Sequence, residues 1–219
     1  MIYAIIAAGG IGARFGADKP KQLVGLGSES ILTRTVKVFE KIDKIEKTVV
    51  ACPEKWLKEC RAQLAGLKKV CVISGGETRN ETIMRGIDFI EESFGLDEKT
   101  LVVTHDAVRP YVTERLILDS IDAAERYGAS VAAVEAVDTL IECENGFIEN
   151  IPDRKKMFHV QTPQTFGALK LRRLYDDLTD EEKDSLTDCS KIFILRGEKV
   201  AVFKGDRANI KITYREDIQ

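Results

Sequence analysis

Short apolar runs alternate with amphipathic stretches along most of this chain. Ile2 to Ala8 is continuously apolar, as expected of a strand buried on both faces. Ser30 stands where it can cap a helix that carries Leu32, Val36 and Phe39 on one face. Thr48–Cys52 reads as a second strand ended by Pro53, and Leu57, Cys60 and Leu64 mark the next helix. Val70–Ser74 is a third strand running into Gly75-Gly76, with a helix through Ile83, Ile87, Ile90 and Phe94 after it. A fourth strand, Leu101–Thr104, ends in His105-Asp106. Leu116 or Ile117, with Ile121 and Ala124, carries another helix, and Ser130–Val137 is a fifth strand. This alternation predicts an α/β fold, a doubly wound and mostly parallel sheet covered by helices on both faces.

The pattern changes at Asp138. From there to Ile151 the chain alternates loosely around Asn145-Gly146, a strong two-residue hairpin signal. A hairpin interrupting such a sheet has little core to bury, so it reads as a protruding β-hairpin arm at about 138–157 that packs on a second subunit. The alternative is an edge hairpin folded on its own domain. A helix near Leu169–Leu178 follows, then Thr179-Asp-Glu-Glu182 in capping-box spacing and a helix or turn from Thr187. The strand Lys199–Phe203 leads on to Asn209-Ile-Lys-Ile-Thr213. At 219 residues the expectation is a single domain, 1–219.

Composition narrows the function classes. Hydrophobic content of 44% and charged content of 32% are ordinary for a soluble globular protein. With a net charge of −3 no bulk basic field attracts nucleic acid, and any cationic site is local. The five cysteines include no C-x-x-C pair and read as buried reduced thiols, and with only two histidines a zinc site is not expected. No apolar run is long enough to span a bilayer, which predicts a cytoplasmic protein without membrane contact.

Parallel sheets of this kind bind ligands at the carboxyl ends of their strands, and the candidate chemistry falls there. Ala7 and Ala8 lead into Gly9, Gly10, Gly12 and Gly16, with Arg14, Lys19 and Lys21 close behind. Glycines let backbone N–H groups approach a phosphate chain, and the three cations suit a polyphosphate. The loop lacks Gly-x-x-x-x-Gly-Lys-Ser/Thr, and no register completes the dinucleotide fingerprint, since Gly10 and Gly12 run to Phe15 and Gly9 runs to Ile11, so it is a nucleotide loop of another kind. Asp106 can hold Mg²⁺ against phosphate oxygens or simply pair with Arg109. Gly76, Arg79 and Thr82 can approach a nucleotide or form a capped turn. Thr187-Asp188 can merely cap a helix, and Lys211 can be an exposed strand cation.

The order of the motifs carries more than any one of them. Ala7-Ala8-Gly9-Gly10-Ile11-Gly12-Ala13-Arg14, Pro20-Lys21-Gln22, Gly75-Gly76-Glu77-Thr78-Arg79, His105-Asp106-Ala107-Val108-Arg109-Pro110, Val137-Asp138-Thr139, Gln161-Thr162-Pro163-Gln164, Thr187-Asp188 and Asn209-Ile-Lys-Ile-Thr213 together resemble the sugar-alcohol-phosphate cytidylyltransferases. The resemblance implies a Rossmann-like nucleotidyltransferase that moves a cytidylyl group from CTP to a polyol phosphate with Mg²⁺. It further implies that Arg14 and Lys21 grip the triphosphate, Lys211 approaches the α-phosphate, and Asp106 with Asn209 holds the metal. By the same resemblance the first loop (Ala7, Ala8, Gly9, Gly10, Gly12), Gly76, Arg79 and Thr82 hold the nucleotide. Arg109, Thr139, Arg154, Thr162 and Thr187, with Asp106 beside them, surround the polyol phosphate, and the arm crosses a homodimer interface. Within the family, the short Phe15–Pro20 spacing is like the methylerythritol-phosphate enzymes of isoprenoid precursor synthesis. Val103–Asp106, Ile151–Arg154 and Leu178–Phe193 look more like the ribitol-5-phosphate enzymes of cell-wall polymers. That longer match puts ribitol 5-phosphate first as the expected acceptor.

Overall fold

The first strand shows why its sequence is apolar throughout. In the computed structural model, which describes residues 1–10 and 19–218, β1 (Ile2–Ala7) lies inside the sheet. Its Ala4 and Ile6 pack into one core while Tyr3 and Ile5 pack into the other, so successive side chains serve opposite faces.

A small hairpin, β2 (Gly25–Leu26) and β3 (Glu29–Ser30), leads into α1 (Ile31–Glu40). Ser30 caps that helix, its hydroxyl accepting the Thr33 N–H at 3.1 Å. β4 (Lys47–Cys52), α2 (Leu57–Gln63), β5 (Val70–Ser74) and α3 (Arg79–Phe94) follow, then β6 (Leu101–Asp106), α4 (Glu114–Tyr127) and β7 (Ala129–Glu135). After the arm strands β8 (Glu142–Glu144) and β9 (Phe147–Asn150) come β10 (Phe158–Gly167), α5 (Ala168–Asp176), α6 (Asp180–Asp184), α7 (Cys189–Leu195) and β11 (Ala201–Lys204). Helices α1, α2 and α4 cover one face and α3, α5 and α7 the other. The α/β expectation holds.

The sheet order is β11-β7-β10-β6-β1-β4-β5, parallel except for β10, which is antiparallel to both its neighbours. From β1 the chain winds outward through β4 and β5, then returns to β6 on the other side of β1. That reversal opens a crevice at the carboxyl ends of β1 and β6, where ligands of doubly wound sheets bind. Register puts Ala7 across from Asp106 at its floor.

Several boundaries differ from expectation. β6 stays paired with β1 through Asp106, so His105 and Asp106 belong to the strand. β7 ends at Glu135, two residues short of Val137, and β11 runs from Ala201 to Lys204. Asn209–Thr213 forms no strand. β10 has no counterpart in the expected elements: its sequence is largely polar and holds Pro163, and proline argues against a central strand. The sheet accommodates Pro163 by an irregularity: pairing with β7 lapses between Val160 and Gln164, and the Thr162–Pro163 peptide is cis.

The arm forms a two-stranded sheet of its own, and every residue from 141 to 150 is exposed. Asn145 and Gly146 both take positive φ, 51° and 87°, which a two-residue type I′ turn requires. Of the five cysteines, Cys52, Cys60 and Cys189 are buried and unpaired as expected, whereas Cys143 is exposed on the arm. Among the described residues no helix is long and apolar enough to cross a membrane.

Candidate active site

A cleft of about 370 Å³ opens at the carboxyl ends of β1 and β6. Ala7, Ala8, Gly9, Gly10, Lys21, Gly76, Arg79, Thr82, Asp106 and Lys211 all line it, so the structure gathers most of the nucleotide-side candidates. Gly12 and Arg14 lie outside the described residues. Gln22, which the motif reading used only as a marker, closes the first loop. Its amide Nε2 donates to the Ala8 carbonyl at 2.6 Å and to that of Gly10 at 3.2 Å. A buried glutamine that ties two turn carbonyls leaves no periodic signal in a sequence.

Gly76 is required by close packing. A Cβ there would lie 2.5 Å from that of Glu81, in the first turn of α3. Glu81 and Thr78 form a capping box at that helix start. The Thr82 hydroxyl is also locally committed: it donates to the Thr78 carbonyl at 2.8 Å and accepts the Gly76 N–H at 3.1 Å. The segment is a capped turn, and it forms a wall of the cleft.

Asp106 is the electrostatic centre. Arg79 Nε donates to its Oδ1 at 2.8 Å, Lys211 Nζ lies 2.9 Å from Oδ2, and Arg109 Nε lies 3.7 Å from the same oxygen. Burial opposes ionisation of this carboxyl, but Arg79, Lys211 and Arg109 outweigh it and hold it well below the usual carboxylate range. Three cations around one carboxylate leave the cluster with positive charge in excess, and Arg79 Nη2 is buried without a hydrogen-bond partner. Such a cluster suits a polyanion. A half-exposed Lys211 can exchange Asp106 for a phosphate oxygen, whereas buried Arg109 is tied by Nη1 to the Asn209 carbonyl at 2.8 Å.

Asp106 Oδ2 is open to a magnesium ion only once half-exposed Lys211 releases it, and one carboxylate then suffices because Mg²⁺ keeps several waters and commonly takes one or two carboxylates plus substrate phosphates. Among the described residues no group of three or more His, Cys, Asp or Glu gathers into a cage. Asn209 is fully buried behind the cleft, its Nδ2 donating to the Thr162 carbonyl at 2.8 Å. Thr162 is buried as well, its hydroxyl accepting the Asp106 N–H at 3.1 Å. His105 beside it is fully buried, and that burial pushes its imidazole down to about 3, so it is neutral at physiological pH.

The remaining candidates are elsewhere. Thr139 and Thr187 are exposed and line neither cleft. Asp188, next to Thr187, caps α7 through the N–H groups of Ser190 and Lys191 and accepts from Gln164 at 3.0 Å. Arg154 donates to the Val137 carbonyl at 2.7 Å and, with Lys155 and Arg207, lines a second cleft of about 360 Å³ at the base of the arm.

This geometry has known counterparts. The family model of 2-C-methyl-D-erythritol 4-phosphate cytidylyltransferase matches residues 2–219. The chain belongs to that family. It is a cytidylyltransferase. A solved 2-C-methyl-D-erythritol 4-phosphate cytidylyltransferase from Francisella tularensis is 27% identical with a TM-score of 0.85, over 99% of this chain and 96% of that one. The 4-diphosphocytidyl-2C-methyl-D-erythritol synthase of Anaerococcus prevotii is 27% identical with a TM-score of 0.82, over 99% and 92%. A Thermus thermophilus 2-C-methyl-D-erythritol 4-phosphate cytidylyltransferase is 26% identical with a TM-score of 0.78, over 100% and 96%. These likenesses favour the methylerythritol branch over the ribitol branch that the motifs put first, and cell-wall polymer chemistry gains no support.

Proposed function

We propose that the protein transfers CMP from CTP to 2-C-methyl-D-erythritol 4-phosphate and releases pyrophosphate. The observation that carries this reading is the family match from residue 2 to residue 219, which takes in both clefts. In the reaction an oxygen of the acceptor phosphate attacks the α-phosphorus, and the bond to the β-phosphate breaks as pyrophosphate leaves. That oxygen is largely ionised at neutral pH, so no Ser/His/Asp machinery is needed. Positioning and charge neutralisation carry the catalysis.

On this reading the first loop, Gly76, Arg79 and Thr82 hold the nucleotide. Lys21 and Arg14 neutralise the triphosphate, and Lys211 moves from Asp106 to the α-phosphate. Asp106, with Asn209 buried behind it, would hold a Mg²⁺, which would supply further positive charge at the triphosphate oxygens. Arg109 and Thr187, with Arg154 and Thr139 from a second copy's arm, bind the acceptor phosphate, and Thr162 supports them from beneath. The arm supports a homodimer: Ile141, Phe147, Ile148 and Ile151 are all exposed on it, and acidic Glu142, Glu144 and Glu149 complement basic Arg154, Lys155 and Lys156 at its base.

The test is pyrophosphate release with CTP and Mg²⁺, comparing 2-C-methyl-D-erythritol 4-phosphate with ribitol 5-phosphate. Preference for the methylerythritol acceptor is the expected outcome. Preference for ribitol 5-phosphate would overturn the acceptor and restore the weight of the motifs in the second half of the chain.

A further inference from the structure

Behind the cleft a closed set of hydrogen bonds joins three segments that are distant in sequence. The Asp106 N–H donates to Thr162 Oγ1 at 3.1 Å, and that hydroxyl lies 2.9 Å from His105 Nδ1. His105 Nε2 lies 3.3 Å from the Arg109 carbonyl. Arg109 Nη1 then donates to the Asn209 carbonyl, and Asn209 Nδ2 donates to the Thr162 carbonyl, both at 2.8 Å. His105, Thr162 and Asn209 are all buried, and His105 also packs against Phe39 with ring centroids 5.2 Å apart.

The proton positions follow from the partners. A carbonyl oxygen can only accept, so His105 Nε2 carries the proton that faces Arg109. The Thr162 oxygen already accepts from Asp106, and its own proton goes to the bare Nδ1. One imidazole therefore ties the backbone of Asp106, through Thr162, to the backbone of Arg109. The loop that carries Lys211 closes the ring through Asn209.

We infer that His105 is a positioning residue of the cytidylyl transfer: it touches neither substrate but sets where the Asp106 carboxylate meets Lys211. The inference rests on the roles proposed above for Asp106 and Lys211. A displacement of about 1 Å in a reacting group can cost about a hundredfold in rate. His105→Leu, which removes both hydrogen bonds at similar bulk, should lower kcat by that factor with little change in the KM for CTP. His105→Gln keeps an acceptor and a donor and should restore most of the loss. In an Asp106→Asn background His105→Leu should cost little more, because the group it positions is already gone. Near-normal kcat in His105→Leu, or the same loss in both backgrounds, would overturn the inference.

Should His105→Leu fail to fold, the other end of the string gives the same comparison. Thr162→Ser should stay active and Thr162→Val should not, and equal turnover by the two would count against the string. ¹⁵N resonances of the His105 ring in the wild-type protein need no turnover. They should show the proton on Nε2 and none on Nδ1, and the reverse would sink the idea. Wild-type protein that releases no pyrophosphate would remove the functional reading while leaving the ring resonances to judge the string, so the two failures separate.

Discussion

The two clefts of this molecule are built from opposite materials. At the ends of β1 and β6, Asp106 and the arginines beside it are largely buried, Arg79 at 2.8 Å and Arg109 at 3.7 Å from the carboxylate, on a strand end and the capped helix α3. At the base of the arm, Arg154 is exposed and among its direct ties is one to a backbone carbonyl, while the hairpin beyond it is exposed throughout. A buried charge is costly unless paired, and the single Asp106 carboxylate is what both arginines lie against. An exposed cation is already solvated, so Arg154 needs no buried counter-charge. On the function proposed above, the core cluster meets the triphosphate and, through Arg109, one side of the acceptor phosphate within one chain, whereas the arm's share of the acceptor site is completed when a second copy covers it.

The largest effect should come from the preorganised side. Lys211→Ala removes a cation placed to meet charge developing at the α-phosphate. By analogy with the loss of one oxyanion donor, about 2.7–4 kcal/mol of transition-state stabilisation should go with it. Steady-state kinetics should show the loss in kcat, with dimerisation unchanged, since Lys211 lines the first cleft and not the one at the base of the arm. Turnover near wild type would mean that the pairing with Asp106 is structural and would erase the contrast between the clefts.

A smaller effect belongs to the arm. Arg154→Ala should weaken acceptor binding by about 1.5–3 kcal/mol, the range for a hydrogen bond to a charged group, and leave the CTP affinity unchanged. Mixing makes the comparison sharper. If arms are exchanged, a heterodimer of Lys211→Ala and Arg154→Ala chains contains one site with both residues intact, and the mixture should regain activity that neither variant shows alone. If each arm serves its own chain, both sites stay defective and mixing recovers nothing.

The same division decides what could be read from the sequence. β1, the helix periodicities and the Asn145-Gly146 turn follow from local rules, and each appears where its residues placed it. Glycines, Arg79, Asp106 and Lys211 were legible as chemistry because charge and glycine cluster at strand ends. Their mutual pairing was not, since Arg79, Asp106 and Lys211 are separated by 27 and about a hundred residues and meet only through the order of the strands. β10 escaped because Pro163 contradicts the local rule and only the sheet around it tolerates the lapse. The buried contacts of Gln22, His105 and Asn209 escaped for a related reason. A buried polar side chain earns its place through partners elsewhere in the chain, and spacing does not reveal them.

The smallest expected effect compares one kind of change on both sides. Thr78 caps α3, its hydroxyl accepting the Glu81 N–H at 3.2 Å, and α3 packs Ile83, Ile87 and Ile90 into the core. Thr78→Ala should therefore cost about 1 kcal/mol of stability, typical of a lost N-cap. In a chain of this size that lowers the melting temperature by about 2–4 °C. Asp153 makes the matching contact in the arm, accepting the Lys155 N–H at 3.1 Å, but the short turn it caps buries nothing. Asp153→Ala should stay within about 0.5 kcal/mol of wild type, as exposed substitutions usually do. Thermal unfolding of the two variants separates the cases. An equal loss in both would show that the arm is already coupled to the core within a single chain, and the acceptor side would then need no second copy to be ordered.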